Sequence, residues 1–266
     1  MVYANPVLSE MASGAFYDQD AAKYYLSPAK LESDYSPVRF EREKRIFRRF
    51  CKSGRVLDVG CSSGAFLYQL QQQFPGDYEC LGTDASGAPL DYAEGRGVRV
   101  FRGDFLKMRG GTSQFDAVTF WAVLEHLLDP KAFLKCAYDL LRPGGYCFVL
   151  VPNIESLAFR LLREKYRYVL WQHFNYFSSV TLRKIASDFD LRSMSSSHLN
   201  PIVMLQDAKG RDVSDSERAT LLQKTTRYKQ SVALKPLKCI YSGVEALLAP
   251  LLVNDNLIAV LQKPSR

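Results

Sequence analysis

The pattern of apolar and polar positions between Val56 and Asn153 predicts strands that alternate with helices. Short, nearly continuous apolar runs indicate buried strands, and the longer segments between them have apolar residues at helical spacing. The predicted strands are RVLDVG, YECLGTDAS, VRVFRGD, FDAVTFWAVLEHL (running into a loop) and YCFVLVPN. The predicted helices are SGAFLYQLQQQF, APLDYAEGRG and DPKAFLKCAYDLLRPGG. This alternation is typical of a parallel sheet covered by helices on both faces.

Beyond Asn153 the pattern changes. The segment ESLAFRLLREKYRYVLWQ predicts one helix, and SSVTLRKIASDF predicts a second helix capped by Ser178 or Ser179. A sixth strand is expected in LRSMSSSHL or in PIVMLQ, and the apolar LIAVLQKP predicts a last strand. The residues from about Ser214 to Val253 are predicted to be mostly helical and basic.

These patterns divide the chain into four consecutive parts of one domain. They are a helical cap over 1–54, a core over 55–152, a substrate-side cap and helix over 153–190, and the last two strands with a basic helical insertion over 191–266. Too little apolar sequence remains in the last part to form a second core. We therefore interpret that helical piece as an insertion.

Composition is ordinary for a soluble globular protein, with 47% hydrophobic and 24% charged residues among 266. No apolar run is long enough to cross a bilayer, and the first residues lack the pattern of a secretory signal. The six cysteines are scattered without a C-x-x-C pair. We expect free thiols and a cytoplasmic location.

One segment accounts for most of the net charge of +7. Between Arg39 and Arg55 there are eight basic and two acidic residues, a balance of +6. Ser36 and Pro37 are expected to begin a helix there, with Ile46, Phe47 and Phe50 forming its apolar stripe. The favoured interpretation is a solvated helix face, and the alternative is a patch for RNA or anionic lipid. A membrane-surface role is also considered for LKPLKCIYSGVEALLAPLLV, near the end of the chain.

The stretch VLDVGCSSGAFL reads as a strand, a turn and the start of a helix. Gly60 and Gly64 are present, but Ser62 stands between them, so the three glycines of a dinucleotide fingerprint are missing. No lysine follows, which excludes a P-loop. The turn therefore fits neither of the two standard phosphate-binding loops.

Chemically suitable residues follow each predicted strand, where ligands of doubly wound sheets bind. Asp58 and Gly60 end the first strand, and Asp84 ends the second, where a carboxylate can accept hydrogen bonds from a ribose diol. Asp104 follows the third strand, near enough to reach an adenine edge, and Trp121 to His126 follow the fourth. Asp58 and Asp104 also have purely structural interpretations, as a turn cap and as a loop aspartate.

VLDVGCSSG, GTDAS, GDF, FDAVTFWAVLEHLLDP and LLRPGGYCFVLVPN together resemble the successive motifs of class I S-adenosylmethionine-dependent methyltransferases. The resemblance is greatest to the ubiquinone-biosynthesis-type and sugar-modifying small-molecule group, and it extends from about Phe40 to Leu191. It implies a doubly wound, mostly parallel seven-stranded sheet with an antiparallel final strand and a helical cap. S-adenosylmethionine is the implied cofactor.

The resemblance also implies which residues bind that cofactor. They are Asp58, Gly60, Cys61, Ser62, Gly64, Asp84, Ala85, Asp104, Phe105 and Trp121, with Tyr17 and Tyr25 closing over it from the N-terminal segment. The family commonly has glycine where this chain has Ser62, which adds a hydroxyl beside the cofactor. The tyrosines have core packing as their alternative interpretation.

On the acceptor side, similar enzymes line the pocket with a segment like WQHFNYFS, which implies Trp171, Asn175 and Tyr176 as substrate-binding residues. Glu125 is a fourth predicted substrate-binding residue. The candidate bases are His173 and, in reserve, His126, because histidine is the usual base near neutral pH. Both could instead be structural.

Glu125, His126 and His173 could also be metal ligands. Some RNA-end methyltransferases have an additional glutamate just before such an E-H pair, where this chain has Ala122. A mechanism without metal is therefore expected. The predicted function is O-methylation of a small sugar, phenol or lipid-linked acceptor. The alternatives are an RNA methyltransferase and a nucleoside-binding protein without activity.

Overall fold

The computed structural model describes residues 2–3, 22–108, 114–166, 168–170, 172–198, 215–231 and 235–265. Within these ranges the strands are β1 (Val2–Tyr3), β2 (Gly54–Val59), β3 (Tyr78–Thr83), β4 (Val100–Phe101), β5 (Phe115–Trp121), β6 (Leu141–Pro152), β7 (Asn175–Tyr176), β8 (Asp190–Ser197) and β9 (Asn256–Gln262). The helices are α1 (Ala22–Tyr25), α2 (Pro28–Asp34), α3 (Glu41–Phe50), α4 (Ala65–Gln73), α5 (Gly87–Gly95), α6 (Pro130–Leu140), α7 (Leu157–Leu162), α8 (Ser179–Ile185), α9 (Asp215–Gln230) and α10 (Lys235–Leu248).

A seven-stranded sheet in the order β4-β3-β2-β5-β6-β9-β8 forms the centre of the molecule. The pairs from β4 to β6 are parallel, and β9 is antiparallel to both of its neighbours. The predicted doubly wound, mostly parallel sheet with an antiparallel last strand is thereby confirmed. The sixth strand forms in LRSMSSSHL, and PIVMLQ lies outside the described residues.

The sheet separates two hydrophobic clusters, because successive side chains of a strand point to opposite faces. Leu57 and Val149 belong to one cluster, and their neighbours Val56 and Phe148 belong to the other. Helix α3 packs against the second cluster through Phe47, which is fully buried. Runs that are apolar at every position are therefore explained by burial on both faces.

The chain order reverses between β2 and β5, which makes this the switch point of the sheet. From β2 the chain proceeds outwards through β3 to β4, and then returns to place β5 on the other side of β2. Ligands of such sheets bind at the carboxyl ends of the strands beside the switch point. The segments that follow β2, β3 and β5 are therefore where the site is built.

Three local predictions need correction. The basic helix α3 begins at Glu41, and Ser36 and Pro37 lie in the turns before it. The helix predicted over 155–172 ends at Leu162, because Arg163 has a φ of 50°, outside the helical range. The residues LRPGG belong to β6 and do not end α6.

The predicted free thiols are found for Cys51, Cys61, Cys80, Cys147 and Cys239. Among the described helices, none has the length and apolarity that crossing a bilayer requires.

Candidate cofactor and catalytic site

The turn after β2 is held against the end of β3 by backbone hydrogen bonds. The N–H groups of Gly60 and Cys61 donate to the carbonyl of Thr83 over 2.8 and 3.0 Å. Gly60 and Ser62 both have positive φ, of 72° and 50°. A Cβ on Gly60 would lie 2.5 Å from Val123 Cγ2, so only glycine fits without displacing the loop after β5.

Asp84 fixes the geometry of this turn from the next strand. Its Oδ2 accepts from the backbone N–H of Ser62 over 2.8 Å, and its Oδ1 accepts from the N–H of Ser86 over 3.1 Å. Burial raises the pKa of the Asp84 carboxyl, and these N–H groups act in the opposite direction. Each carboxylate oxygen has a further lone pair, so Asp84 can still accept from a ribose diol.

Asp58 lies at the end of β2 and is buried. Its Oδ1 accepts from the hydroxyl of Thr119 on β5 over 2.6 Å. Burial raises the pKa of the Asp58 carboxyl to about 7, the Thr119 hydrogen bond opposes this, and the nearby charge of Asp84 adds to it. Asp58 thus links the two strands of the switch point and places a second carboxyl close to Asp84.

Buried polar atoms around this turn give a test of whether the residues fit S-adenosylmethionine. Ser62 Oγ, Ser86 Oγ and Trp121 Nε1 have no hydrogen-bond partner within the part of the chain that the structure describes. Buried polar groups normally have partners. Donors near a carboxylate and a glycine turn suit the amino-acid and ribose groups of a nucleoside cofactor, so the residues fit this ligand.

The other predicted cofactor residues take varied positions. Gly64 has a φ of 76° and precedes α4, and Cys61 is buried beneath the turn. Ala85 is exposed beside Asp84. Asp104 caps a short 3-10 helix by accepting from the N–H of Leu106 over 3.0 Å.

Two further predicted cofactor residues are aromatic, and a third cannot be placed. Phe105, next to Asp104, is buried. Tyr25 is half-buried in α1 and contacts Tyr24 edge to face, with ring centroids 5.4 Å apart. Tyr17 lies outside the described residues.

The two candidate bases meet beyond β5. The rings of His126 and His173 pack edge to face, with centroids 4.7 Å apart. The Nδ1 of His126 lies 3.0 Å from the carbonyl oxygen of Gln172, and that of His173 lies 2.9 Å from the carbonyl oxygen of Tyr168. Because a carbonyl only accepts, each Nδ1 donates, and each neutral ring then has its basic lone pair on Nε2.

Glu125 completes this cluster. Its side chain is buried, and Oε2 has no partner among the described residues. Burial raises the pKa of Glu125 to about 8 and lowers the pKa of His126 to about 4. Three potential ligand atoms, one each from Glu125, His126 and His173, lie within 4.8 Å of one another. This spacing could hold a divalent metal ion.

Two of the predicted substrate residues, Asn175 and Tyr176, follow His173 closely in the chain and donate to different backbone carbonyls. The amide of Asn175 donates to the carbonyls of Leu124 and Leu127, over 3.3 and 2.6 Å, and so braces the loop after β5. The Tyr176 hydroxyl donates to the Leu170 carbonyl over 3.1 Å, and its ring lies 6.3 Å from that of His173. Trp171 lies outside the described residues.

Sequence reasoning missed several supporting residues. Thr119 holds Asp58, and Tyr168 both accepts from His173 and stacks on its ring at 6.3 Å. The Tyr35 hydroxyl donates to the Ser63 carbonyl, so α2 is tied to the turn after β2. Only Thr119 had a visible signal, as a hydroxyl residue within the apolar run AVTFW of β5.

The basic segment 39–55 is largely occupied by contacts within the molecule. Its pairs are Arg39 with Asp34, Arg42 with Glu245, Lys44 with Gln69, Arg48 with Asp77, and Arg55 with Glu79. Arg45, Arg49 and Lys52 are exposed. Most of the cations that suggested an RNA surface are thus already paired with acceptors of this chain.

Known proteins are similar to this chain in sequence and in fold. A family model described as a methyltransferase domain matches residues 37–196. The ubiquinone biosynthesis O-methyltransferase of Ruegeria pomeroyi is 29% identical over 149 residues, which are 52% of this chain and 58% of that protein. The trans-aconitate 2-methyltransferase of Deinococcus radiodurans is 36% identical over 112 residues, 41% of this chain and 42% of that protein. The chain spans about half the length of the curated relatives it matches.

Among solved structures, a similar one is Haemonchus contortus phosphoethanolamine N-methyltransferase 2 in complex with S-adenosyl-L-methionine. The TM-score is 0.59 at 17% identity, and the match covers 98% of this chain and 61% of that chain. At this identity the likeness shows the fold.

Proposed function

We propose that this chain, which belongs to the methyltransferase domain family, methylates a hydroxyl group of a small molecule. It is a class I S-adenosylmethionine-dependent methyltransferase. A sugar, a phenol or a lipid-linked precursor is the proposed acceptor, and the cytoplasm is the proposed location. The observation on which this rests is the pair of histidines, whose rings meet beyond β5. His126 lies in the same loop as Val123, which packs against Gly60 of the turn after β2.

The proposed chemistry asks the protein mainly to orient two reactants. The bound cofactor supplies a methyl group on a sulfonium, whose leaving group is neutral. The glycine turn and Asp84 would hold the amino-acid and ribose ends of that cofactor. Such positioning alone accounts for a large part of the rate enhancement in two-substrate reactions.

A hydroxyl acceptor must also lose its proton, and we assign this step to His173. The Tyr168 carbonyl holds Nδ1–H, so Nε2 is the atom that takes the proton. His126 has the same tautomer, but burial lowers its pKa to about 4, which makes it a poor base near neutral pH. Glu125, next to His126, is the proposed contact for the acceptor.

The assignment is tested by incubating the protein and S-adenosylmethionine with representative sugars, phenols and lipid-linked phenols, and by measuring S-adenosylhomocysteine release. Release that depends on one of these classes, with the new methyl located on oxygen, supports the proposal. Release only with RNA would instead support the second function considered. Cofactor binding without release in any arm would leave a nucleoside-binding protein.

The proposed mechanism uses no metal, although Glu125, His126 and His173 are close enough to hold one. Turnover is therefore expected to be the same before and after treatment with a chelator. A loss that Mg²⁺ or Mn²⁺ restores would reassign the three side chains as ligands.

A further inference from the structure

Helix α10 is attached to the body of the molecule by one side. Glu245 forms an ion pair with Arg42 of α3, and its Oε1 also accepts from the backbone N–H of His198 over 2.6 Å. The amide of Asn254 donates to the Glu245 carbonyl over 3.3 Å. The side of α10 that contains Glu245 therefore faces inwards.

The opposite side of α10 presents aliphatic residues to solvent. Ile240, Val244 and Leu247 are 66%, 45% and 76% exposed, and Leu251 in the following 3-10 helix is 65% exposed. These positions recur at intervals of four, three and four residues, which places them along one stripe of a helix. A single exposed aliphatic residue is ordinary, but an aligned row marks a surface that contacts something apolar.

Helix α7 also exposes aliphatic residues. Leu157 and Leu161, one turn apart, are 42% and 67% exposed. The N–H of Leu157 donates to the Val253 carbonyl over 2.8 Å, so α7 begins beside the chain that leaves Leu251. We call the six exposed residues the aliphatic face: Leu157, Leu161, Ile240, Val244, Leu247 and Leu251.

Basic residues lie beside the aliphatic face. Arg160, Arg163 and Lys165 are exposed in and after α7, against one exposed acid, Glu164. The whole chain has a net charge of +7. Aliphatic side chains next to Arg and Lys are the combination by which proteins lie on the headgroup region of anionic membranes.

We propose that the aliphatic face lies on an anionic lipid surface. A second copy of the chain fits less well, because a symmetric contact would place the same three cations of both copies together. Insertion across the bilayer does not fit either, since Glu245 and Arg42 fix α10 to the body of the protein.

This surface is close in the chain to the acceptor side of the site. The exposed Arg163 and Lys165 come a few positions before Tyr168, whose carbonyl holds His173. The proposed function includes lipid-linked acceptors, which a protein bound to the membrane would meet at the lipid surface. The contact with lipid itself does not depend on which acceptor is methylated.

The test is flotation of the full chain with vesicles of phosphatidylcholine alone and of phosphatidylcholine mixed with phosphatidylglycerol. We expect binding to the mixed vesicles, weakened by salt, and little binding to the neutral ones. Leu247→Ser combined with Leu251→Ser should lower the partition coefficient about tenfold or more. Arg160→Gln combined with Lys165→Gln should weaken binding only to the anionic vesicles.

Val180→Ser is the matched control, since Val180 is 68% exposed on a different helix, α8, and its loss should leave flotation unchanged. No flotation with mixed vesicles, or equal flotation of all the variants, would overturn the proposal. So would a dimer in light scattering that the leucine variant converts to monomer, because the face would then bind a second copy. Methyl transfer to soluble acceptors, if it persists in the leucine variant, separates this failure from failure of the proposed function.

Discussion

The backbone N–H of Ser62 donates to Asp84 Oδ2 over 2.8 Å, which joins the turn after β2 to the carboxylate after β3. Ser62 has a φ of 50°, a conformation that costs a serine more than a glycine. The hydrogen bond to Asp84 offsets part of that cost. The departure from glycine at this position is therefore accommodated by the same residue that is proposed to bind the ribose.

Replacing Asp84 by alanine should weaken cofactor binding. The change removes the acceptors of the ribose diol and of two backbone N–H groups, a loss of roughly 1–3 kcal/mol. The affinity for S-adenosylhomocysteine in calorimetry should fall by about one to two powers of ten. Asp91→Ala, which removes an exposed carboxylate on α5, is the control and should bind normally. Unchanged affinity in Asp84→Ala would refute the ribose assignment.

Gly60→Ala should destabilise the protein more than Gly76→Ala. Both glycines have positive φ, of 72° and 83°, so both variants incur the backbone strain of roughly 1–2 kcal/mol. Only at Gly60 does the new Cβ also collide, 2.5 Å from Val123 Cγ2, whereas Gly76 has no atom within 4 Å of that position. Urea unfolding measures the difference, and equal losses in the two variants would mean that the turn and the loop after β5 are not in contact.

Asp58 should make stability depend on pH. Burial raises the pKa of Asp58 from 3.8 to about 7. Between these two pH values the carboxyl is protonated in the folded chain and ionised in the unfolded chain. The contribution of Asp58 to the free energy of unfolding is fully present below its pKa in the unfolded chain and is lost as pH rises through about 7. The total loss is roughly 4 kcal/mol at most.

The comparison that isolates this effect is Asp58→Asn, which keeps an acceptor for the Thr119 hydroxyl. Glu125 contributes a slope of the same sign in both proteins, since burial raises its pKa to about 8. Urea unfolding at several pH values should show a smaller fall in stability in the variant between about pH 4 and pH 8. Parallel curves for the two proteins would mean that Asp58 has an ordinary pKa.

The sheet and the positions after its strands could be predicted because their signals are local. A buried strand is an apolar run, and Gly60 or Asp84 directly after such a run indicates the carboxyl end at which a ligand binds. The motifs are also ordered along the chain as the strands are. The number of strands and the antiparallel last strand, by contrast, were implied by the resemblance to class I methyltransferases.

Contacts between distant segments could not be predicted in this way. Asn175 reads as a pocket residue, yet its amide donates to backbone carbonyls of the loop after β5. The helix expected after Asn153 ends early, at the positive φ of Arg163. For the basic segment a solvated helix face was favoured and a patch for RNA or anionic lipid was the alternative. The pairing of Arg42 with Glu245 could not be predicted, because these residues are 203 positions apart.

The last prediction concerns His173 as the base. His173→Ala should lower turnover by about 10²–10⁴-fold, with cofactor affinity unchanged, because the ring acts on the acceptor proton and not on the cofactor turn. His173→Gln should be nearly as slow, since glutamine can still donate to the Tyr168 carbonyl but cannot take up the proton. The matched variant is His126→Gln, because the ring of His126 also donates to a backbone carbonyl.

Turnover measured against pH gives the readout that a purely structural histidine would not change. The rate of the wild-type protein should fall at acidic pH as the imidazole of His173 is protonated, and this limb should be absent in His173→Gln. If His173→Gln keeps nearly full activity while His126→Gln loses it, the base is His126. If both His173 variants fail to fold, the hydrogen bond to Tyr168 serves the structure of the segment, because Nδ1–H and the carbonyl would then be needed for packing before any acceptor is bound.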